Sequence, residues 1–157
     1  MPSEGTTASG TPVRPSGSAS YEGTHTPVTL VFVRHGATVL TESRGYSGGA
    51  EPGPPLSELG QQQAARVATL IGRMGEFWPD LPAPSLLLAS PMVRTQETAG
   101  VIGDALGLDV RTVPELREAD FGLWQGLTRE QIVARFPGEL EKYHQDADAR
   151  ATGGESM

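Results

Sequence analysis

Apolar positions are sparse over residues 1–26, where Ser, Thr, Gly and Pro dominate. Such a stretch buries too little surface to offset the entropy of ordering, so it reads as a disordered tail or a linker. The pattern changes after Pro27. Val28, Leu30, Val31, Phe32 and Val33 form a short apolar run rich in β-branched and aromatic residues, ending abruptly at Arg34, His35 and Gly36. That pattern predicts a buried strand of a parallel sheet. Residues 39–55, crowded with Gly and Pro, predict a long loop. Ser57 then offers an N-cap with Glu58 in the first turn, and Ala64, Val67, Ala68, Ile71 and Met74 recur at helical spacing until Gly75 and Pro79. Residues 85–89 predict a second strand, 92–106 a helix with Gly107 just past its end, and 109–113 a third, short strand. Residues 114–126 have no regular period. Thr128 and Gln131 form a capping box for a helix over 129–136, which Pro137 and Gly138 break, and 139–149 predict a polar, charged helix. Strands alternating with helices give an α/β class.

Composition narrows the partners more than the fold. The 157 residues suffice for one domain with a real core, and the net charge of −7 argues against a nucleic-acid partner. Without cysteine there is no disulfide frame and no thiolate metal site, which fits a cytoplasmic setting. No apolar run approaches the roughly 18 residues of a membrane span. No H-E-x-x-H pair, carboxylate cluster of ligand spacing or phosphate-binding P-loop is present, so neither a metal nor another cofactor is expected.

Three stretches carry chemistry, each just after an apolar strand, where open α/β sheets bind ligands. In the first, Arg34 can hold a phosphate bidentately and the neighbouring His35 imidazole can attack phosphorus; Gly36 lets the backbone turn sharply and approach a ligand. In the second, 90–95, Arg94 sits one turn into a helix whose N-terminal amides favour an anion. In the third, 115–126, carboxylates mix with Phe121 and Trp124, and an acid held near large apolar groups suits proton donation, Glu118 before Glu115 or Asp120. Singly, these stretches are equally a solvated strand end, a surface arginine and an acid in a turn.

Together they resemble the histidine phosphatase, or phosphoglycerate mutase-like, superfamily. The motifs are R-H-G-x-T at 34–38, L-S-E-L-G-x-x-Q-A at 56–64, S-P-x-x-R-x-x-x-T-A at 90–99, E-x-x-x-G-x-W-Q-G at 118–126, and a final G-G-E-S. The loop pattern and tail are most similar to the acid phosphatase half of actinobacterial bifunctional ribonuclease H/acid phosphatase proteins, a branch similar to alpha-ribazole phosphatases. The resemblance implies a three-layer α/β fold with a mostly parallel sheet flanked by helices. It implies His35 as phosphorylated nucleophile, Glu118 as general acid and base, Arg34 and Arg94 as phosphate ligands, and Gly36, Thr38, Ser47 and Gly48 along the substrate pocket. The implied substrate is a small phosphorylated metabolite, with no nucleic acid and no membrane.

Two departures from the family pattern matter. Mutases carry Glu after the R-H-G glycine and an Asn soon after; here Ala37 follows, and 39–44 hold no Asn, which favours a hydrolase over a phosphoglycerate mutase. The family also uses a second histidine in a late His-Gly pair. His25 lies in the tail and His144 in a charged helix, so the fold is expected to be incomplete at the C-terminus. The expected domains are a disordered tail or linker over 1–26, which as a linker implies a preceding domain, and the N-terminal part of a phosphatase domain over 27–157, impaired in turnover. A non-catalytic phosphate-binding module is the alternative.

Overall fold

The structure, a computed structural model, describes residues 28–156. The chain divides into two units, Met1–Leu30 and Val31–Met157. Of the first, only residues 28–30 are described, and they form no helix or strand. The predicted tail over 1–26, with His25, lies outside the described residues.

The second unit runs α1 (Val39–Glu42), α2 (Glu58–Gly72), α3 (Met74–Phe77), β1 (Leu87–Ala89), α4 (Val93–Leu106), β2 (Val110–Thr112), α5 (Arg129–Arg135) and α6 (Glu139–Gln145). β1 and β2 pair in parallel, Leu87 beside Val110 and Ala89 beside Thr112, and α4 is the crossover between them. Local chemistry sets the helix ends. Ser57 caps α2 by accepting from Gly60 N–H, Thr128 and Gln131 make the reciprocal capping box of α5, and Gly107 ends α4 in the left-handed conformation.

Two cores hold these elements. In one, Ala68 and Ile71 of α2 meet Ile102 of α4, flanked by Val67, Met74 and Leu87. The other gathers Trp124, Ile132, Leu140, Tyr143 and Ala151, with Tyr46 and Phe121 packed against them. The Trp124 and Tyr143 rings meet edge to face at 5.3 Å, and the indole N–H donates to Glu139 Oε2 at 3.2 Å, so this fully buried side chain leaves no polar atom unpaired.

The class is mixed α/β, as expected, but four elements differ from the sequence expectation. Residues 28–37 form no strand, and Val31, Phe32 and Val33 are exposed, Phe32 at 91%. A parallel strand is buried only between hydrogen-bonded neighbours, and among the described residues the only sheet is the β1–β2 pair. The 39–55 loop begins with a helical turn, α1, because the Thr38 hydroxyl accepts from Thr41 N–H and caps it. α2 stops at Gly72, with Arg73 as its cap, and Met74 starts a new turn rather than ending the same helix. The helix expected over 139–149 ends at Gln145, and it is polar on one side only, since Leu140 and Tyr143 enter the core.

Candidate active site

The segment 34–38 is held from two helices. Gly36 and Gly60 of α2 cross at backbone contact: a Cβ on Gly36 would overlap the Gly60 carbonyl, and one on Gly60 would overlap the Ala37 carbonyl. Sequence reasoning gave Gly36 a close approach to ligand; in the structure its backbone closely approaches α2, and Gly36 also lines the cavity beside His35. That contact lets α2 grip the next peptide. Ala37 N–H donates to Gln63 Oε1 at 2.8 Å, and Ser57 N–H donates to the Ala37 carbonyl at 2.9 Å. From α4, the Thr98 hydroxyl accepts from Gly36 N–H at 3.1 Å and donates to the Arg94 carbonyl at 2.7 Å. One buried hydroxyl thus ties the histidine segment to the helix of the second arginine.

Within this frame His35 Nδ1 lies 2.7 Å from the Gly36 carbonyl oxygen. A carbonyl can only accept, so Nδ1 carries the proton and the neutral ring keeps its lone pair on Nε2. Burial holds the His35 pKa below its usual 6.5; Arg94 and Arg34 push the same way, against the Gly36 hydrogen bond and the Glu118 carboxylate. The folded protein therefore binds fewer protons here than the unfolded chain just below pH 6.5. His35 contributes stability that is present above that pH and lost as pH falls through the lowered value. A histidine NMR titration should place the His35 midpoint below 6.5, and His35→Gln should flatten the acid limb of the stability curve; a midpoint at or above 6.5 would contradict the burial argument.

Arg94 is the buried cation of the site, 2% exposed. Its Nη1 donates to Ser47 Oγ and its Nη2 to the Ser47 carbonyl, both at 3.2 Å, while the buried Nε has no partner. Burial lowers its pKa and the Glu118 charge opposes that. Among the described residues its guanidinium forms no ion pair; the ion pairs found are Arg73–Glu76 and Arg117–Glu155.

Glu118 arrives on a loop held from both sides. Gly49 N–H donates to the Ala119 carbonyl at 3.0 Å, and Gly48 N–H donates to Gln125 Oε1 at 2.7 Å. A Cβ on Gly49 would overlap the Glu118 carbonyl, so only glycine lets the Ser47 loop lie this close. On the other side Glu155, from the G-G-E-S element, accepts from Asp120 N–H at 2.9 Å and pairs with Arg117 at 2.7 Å. Sequence reasoning set Glu118 against Phe121 and Trp124. In the structure Trp124 is sealed in the aromatic core and Glu118 is exposed, its Oε1 accepting from Ala119 N–H at 3.0 Å.

The structure thus brings Arg34, Arg94 and Glu118 within electrostatic reach of His35, and Arg94 within that of Glu118. Ser47 and Gly48 serve the Arg94 and Glu118 supports, and Thr38 is wholly buried as the cap of α1. A cavity of about 320 Å³ opens beside His35, lined by Arg34, His35, Thr41, Gln63, Val67 and Thr98. Its walls include neither Arg94 nor Glu118, which meet His35 through their charges. Gln63, Thr98, Gln125 and Glu155 had no assigned role, although all four stand within the quoted motifs.

The family model for the histidine phosphatase superfamily (branch 1) matches residues 30–157. The chain belongs to this superfamily. A bifunctional protein of Mycobacterium tuberculosis is 37% identical over 132 residues, covering 84% of this chain and 34% of that protein. Among solved structures, a mycobacterial glucosyl-3-phosphoglycerate phosphatase complexed with VO3 is 36% identical with a TM-score of 0.67, over 78% of this chain and 56% of that one. A putative alpha-ribazole-5'-P phosphatase from Escherichia coli is 29% identical with a TM-score of 0.63, over 79% of this chain and 57% of that one. The chain therefore spans from about a third to a little over half the length of these relatives. No helix among the described residues is long and apolar enough to cross a membrane.

Proposed function

We propose that the site hydrolyses a small phosphomonoester through a phosphohistidine. Arg34 and Arg94 hold the phosphate. His35 Nε2 attacks phosphorus, the N–P bond forms, the ester P–O bond breaks, and Glu118 gives its proton to the leaving oxygen. Water then attacks the phosphoryl group, its proton passes to Glu118, and the N–P bond breaks to release inorganic phosphate. The observation that carries the reading is Arg94: a buried guanidinium that has no ion-pair partner and an unpaired Nε among the described residues, within electrostatic reach of an imidazole kept neutral. A buried charge calls for a counter-ion, and a phosphate dianion supplies one at the atom His35 would attack. That two matched structures are named phosphatases supports hydrolysis over phosphoglycerate mutase-type phosphotransfer.

We place this activity in the cytoplasm, on a metabolite-sized substrate, in a domain starting near residue 27. Turnover by these 157 residues is slow: His144 is exposed on α6, and among the described residues no second imidazole stands beside His35. Incubation with p-nitrophenyl phosphate should therefore leave acid-labile phosphate on His35, detectable by mass spectrometry, with p-nitrophenol release near background. His35→Ala should carry no label. Label elsewhere, or undiminished in that variant, sinks the nucleophile assignment. Fast turnover by the unaltered chain contradicts only the slow-turnover part. Orthovanadate binding without any label favours a binding module.

A further inference from the structure

We infer that Gln63 is a positioning residue for His35, acting through the peptide group between Gly36 and Ala37. The two hydrogen bonds on that group share one amide. Its carbonyl, on Gly36, accepts from His35 Nδ1–H at 2.7 Å; its N–H, on Ala37, donates to Gln63 Oε1 at 2.8 Å. An amide that donates strongly is a better acceptor at its oxygen, because the two bonds polarise the same conjugated unit. Gln63 therefore does through one peptide what a carboxylate does directly in many histidine sites: it keeps the proton on Nδ1 and fixes the ring plane, so that Nε2 presents its lone pair.

The surroundings make this coupling stiff. Gly60 brings α2 into backbone contact with residues 36–37, which places the side chain of Gln63, three residues on, at Ala37 N–H. The Ala37 carbonyl is held by Ser57 N–H, and Gly36 N–H by the Thr98 hydroxyl. The peptide plane thus has little freedom to rotate, and losing the Gln63 acceptor leaves Ala37 N–H, 26 residues away in sequence, without its partner. Gln63 also lines the cavity beside His35.

The role of Gln63 rests on the proposed function only for its kinetic consequence; the state of the His35 ring is measurable without any reaction. In the full chain, ¹⁵N NMR of the imidazole should show Nδ1–H as the dominant tautomer. Gln63→Leu should mix the tautomers and move the His35 midpoint further down. Gln63→Glu keeps an acceptor and adds negative charge, so it should restore the tautomer and move the midpoint up. Arg34, Arg94 and Glu118, the other charges facing His35, are unchanged in both variants, so the difference belongs to position 63. The phosphorylation rate of His35 should fall roughly tenfold in Gln63→Leu and recover at least partly in Gln63→Glu. Unchanged ¹⁵N shifts and midpoint in folded Gln63→Leu overturn the inference. Should that variant not fold, an unmoved midpoint in Gln63→Glu overturns it equally. If the unaltered protein takes up no phosphate on His35, the proposed function fails while the tautomer measurement still decides the role of Gln63.

Discussion

Arg94→Met should weaken orthovanadate binding by at least about a hundredfold while leaving the melting temperature unchanged or higher. The two signs follow from one fact. Arg94 is 2% exposed, and among the described residues its guanidinium has only the Ser47 hydroxyl and carbonyl as partners, with Nε unpaired. Burying a cation on those terms opposes folding, which is why its pKa is pushed down. Methionine keeps the apolar stem against its neighbours and removes the charge. The anion site then loses a charge-assisted donor pair, each bond of which contributes about 1.5–3 kcal/mol, while the free protein loses a desolvation penalty. Isothermal titration with orthovanadate and a thermal melt on the same preparations check both. Affinity near that of the unaltered protein would remove Arg94 from the phosphate site. A large drop in melting temperature with affinity retained would make it a strut for the Ser47 loop instead.

The parts of this fold that were legible in the sequence are those whose causes are local. Ser57, Thr128 with Gln131, and Gly107 set helix ends through bonds spanning a few residues, and the structure has those caps where the sequence puts them. The apolar run 28–33 has the pattern of a strand and forms none, because its burial depends on neighbouring strands and pairing is decided far away in the chain. The aromatic core went unseen for a similar reason: Tyr46, Trp124 and Tyr143 come from three distant segments, and Tyr143 sits in a stretch whose charges suggested a solvated helix. At the site, His35, Arg34, Arg94 and Glu118 were readable as residue types at motif spacing. Their supports were not, since the bonds from Gln63 to Ala37 and from Thr98 to Gly36 span 26 and 62 residues. The motifs held these residues; only geometry says what each one holds.

Gly60→Ala is the substitution for which a local reading and the tertiary contact predict opposite signs. Gly60 lies in the first turn of α2, where alanine would favour the helix by up to about 1 kcal/mol over glycine. The structure predicts the reverse. A methyl group at Gly60 would run into the backbone of Ala37, with oxygen, nitrogen and carbonyl carbon all closer than van der Waals contact, and no flexible side chain is there to give way. Relief requires α2 to move off residues 36–37. That takes Gln63 away from Ala37 N–H and Ser57 away from the Ala37 carbonyl, and it loosens the packing of Ala68 and Ile71 on Ile102. The expected cost is about 3 kcal/mol or more, a fall of roughly 6–12 °C in melting temperature for a chain of this size. Gly100→Ala is the matched control: it lies within α4, a Cβ there meets nothing within 4 Å, and its effect should be neutral or slightly stabilising. Thermal melts of the two variants settle the matter. If Gly60→Ala melts as high as Gly100→Ala, α2 and the His35 segment are not in backbone contact, and the frame that positions His35 must be built another way.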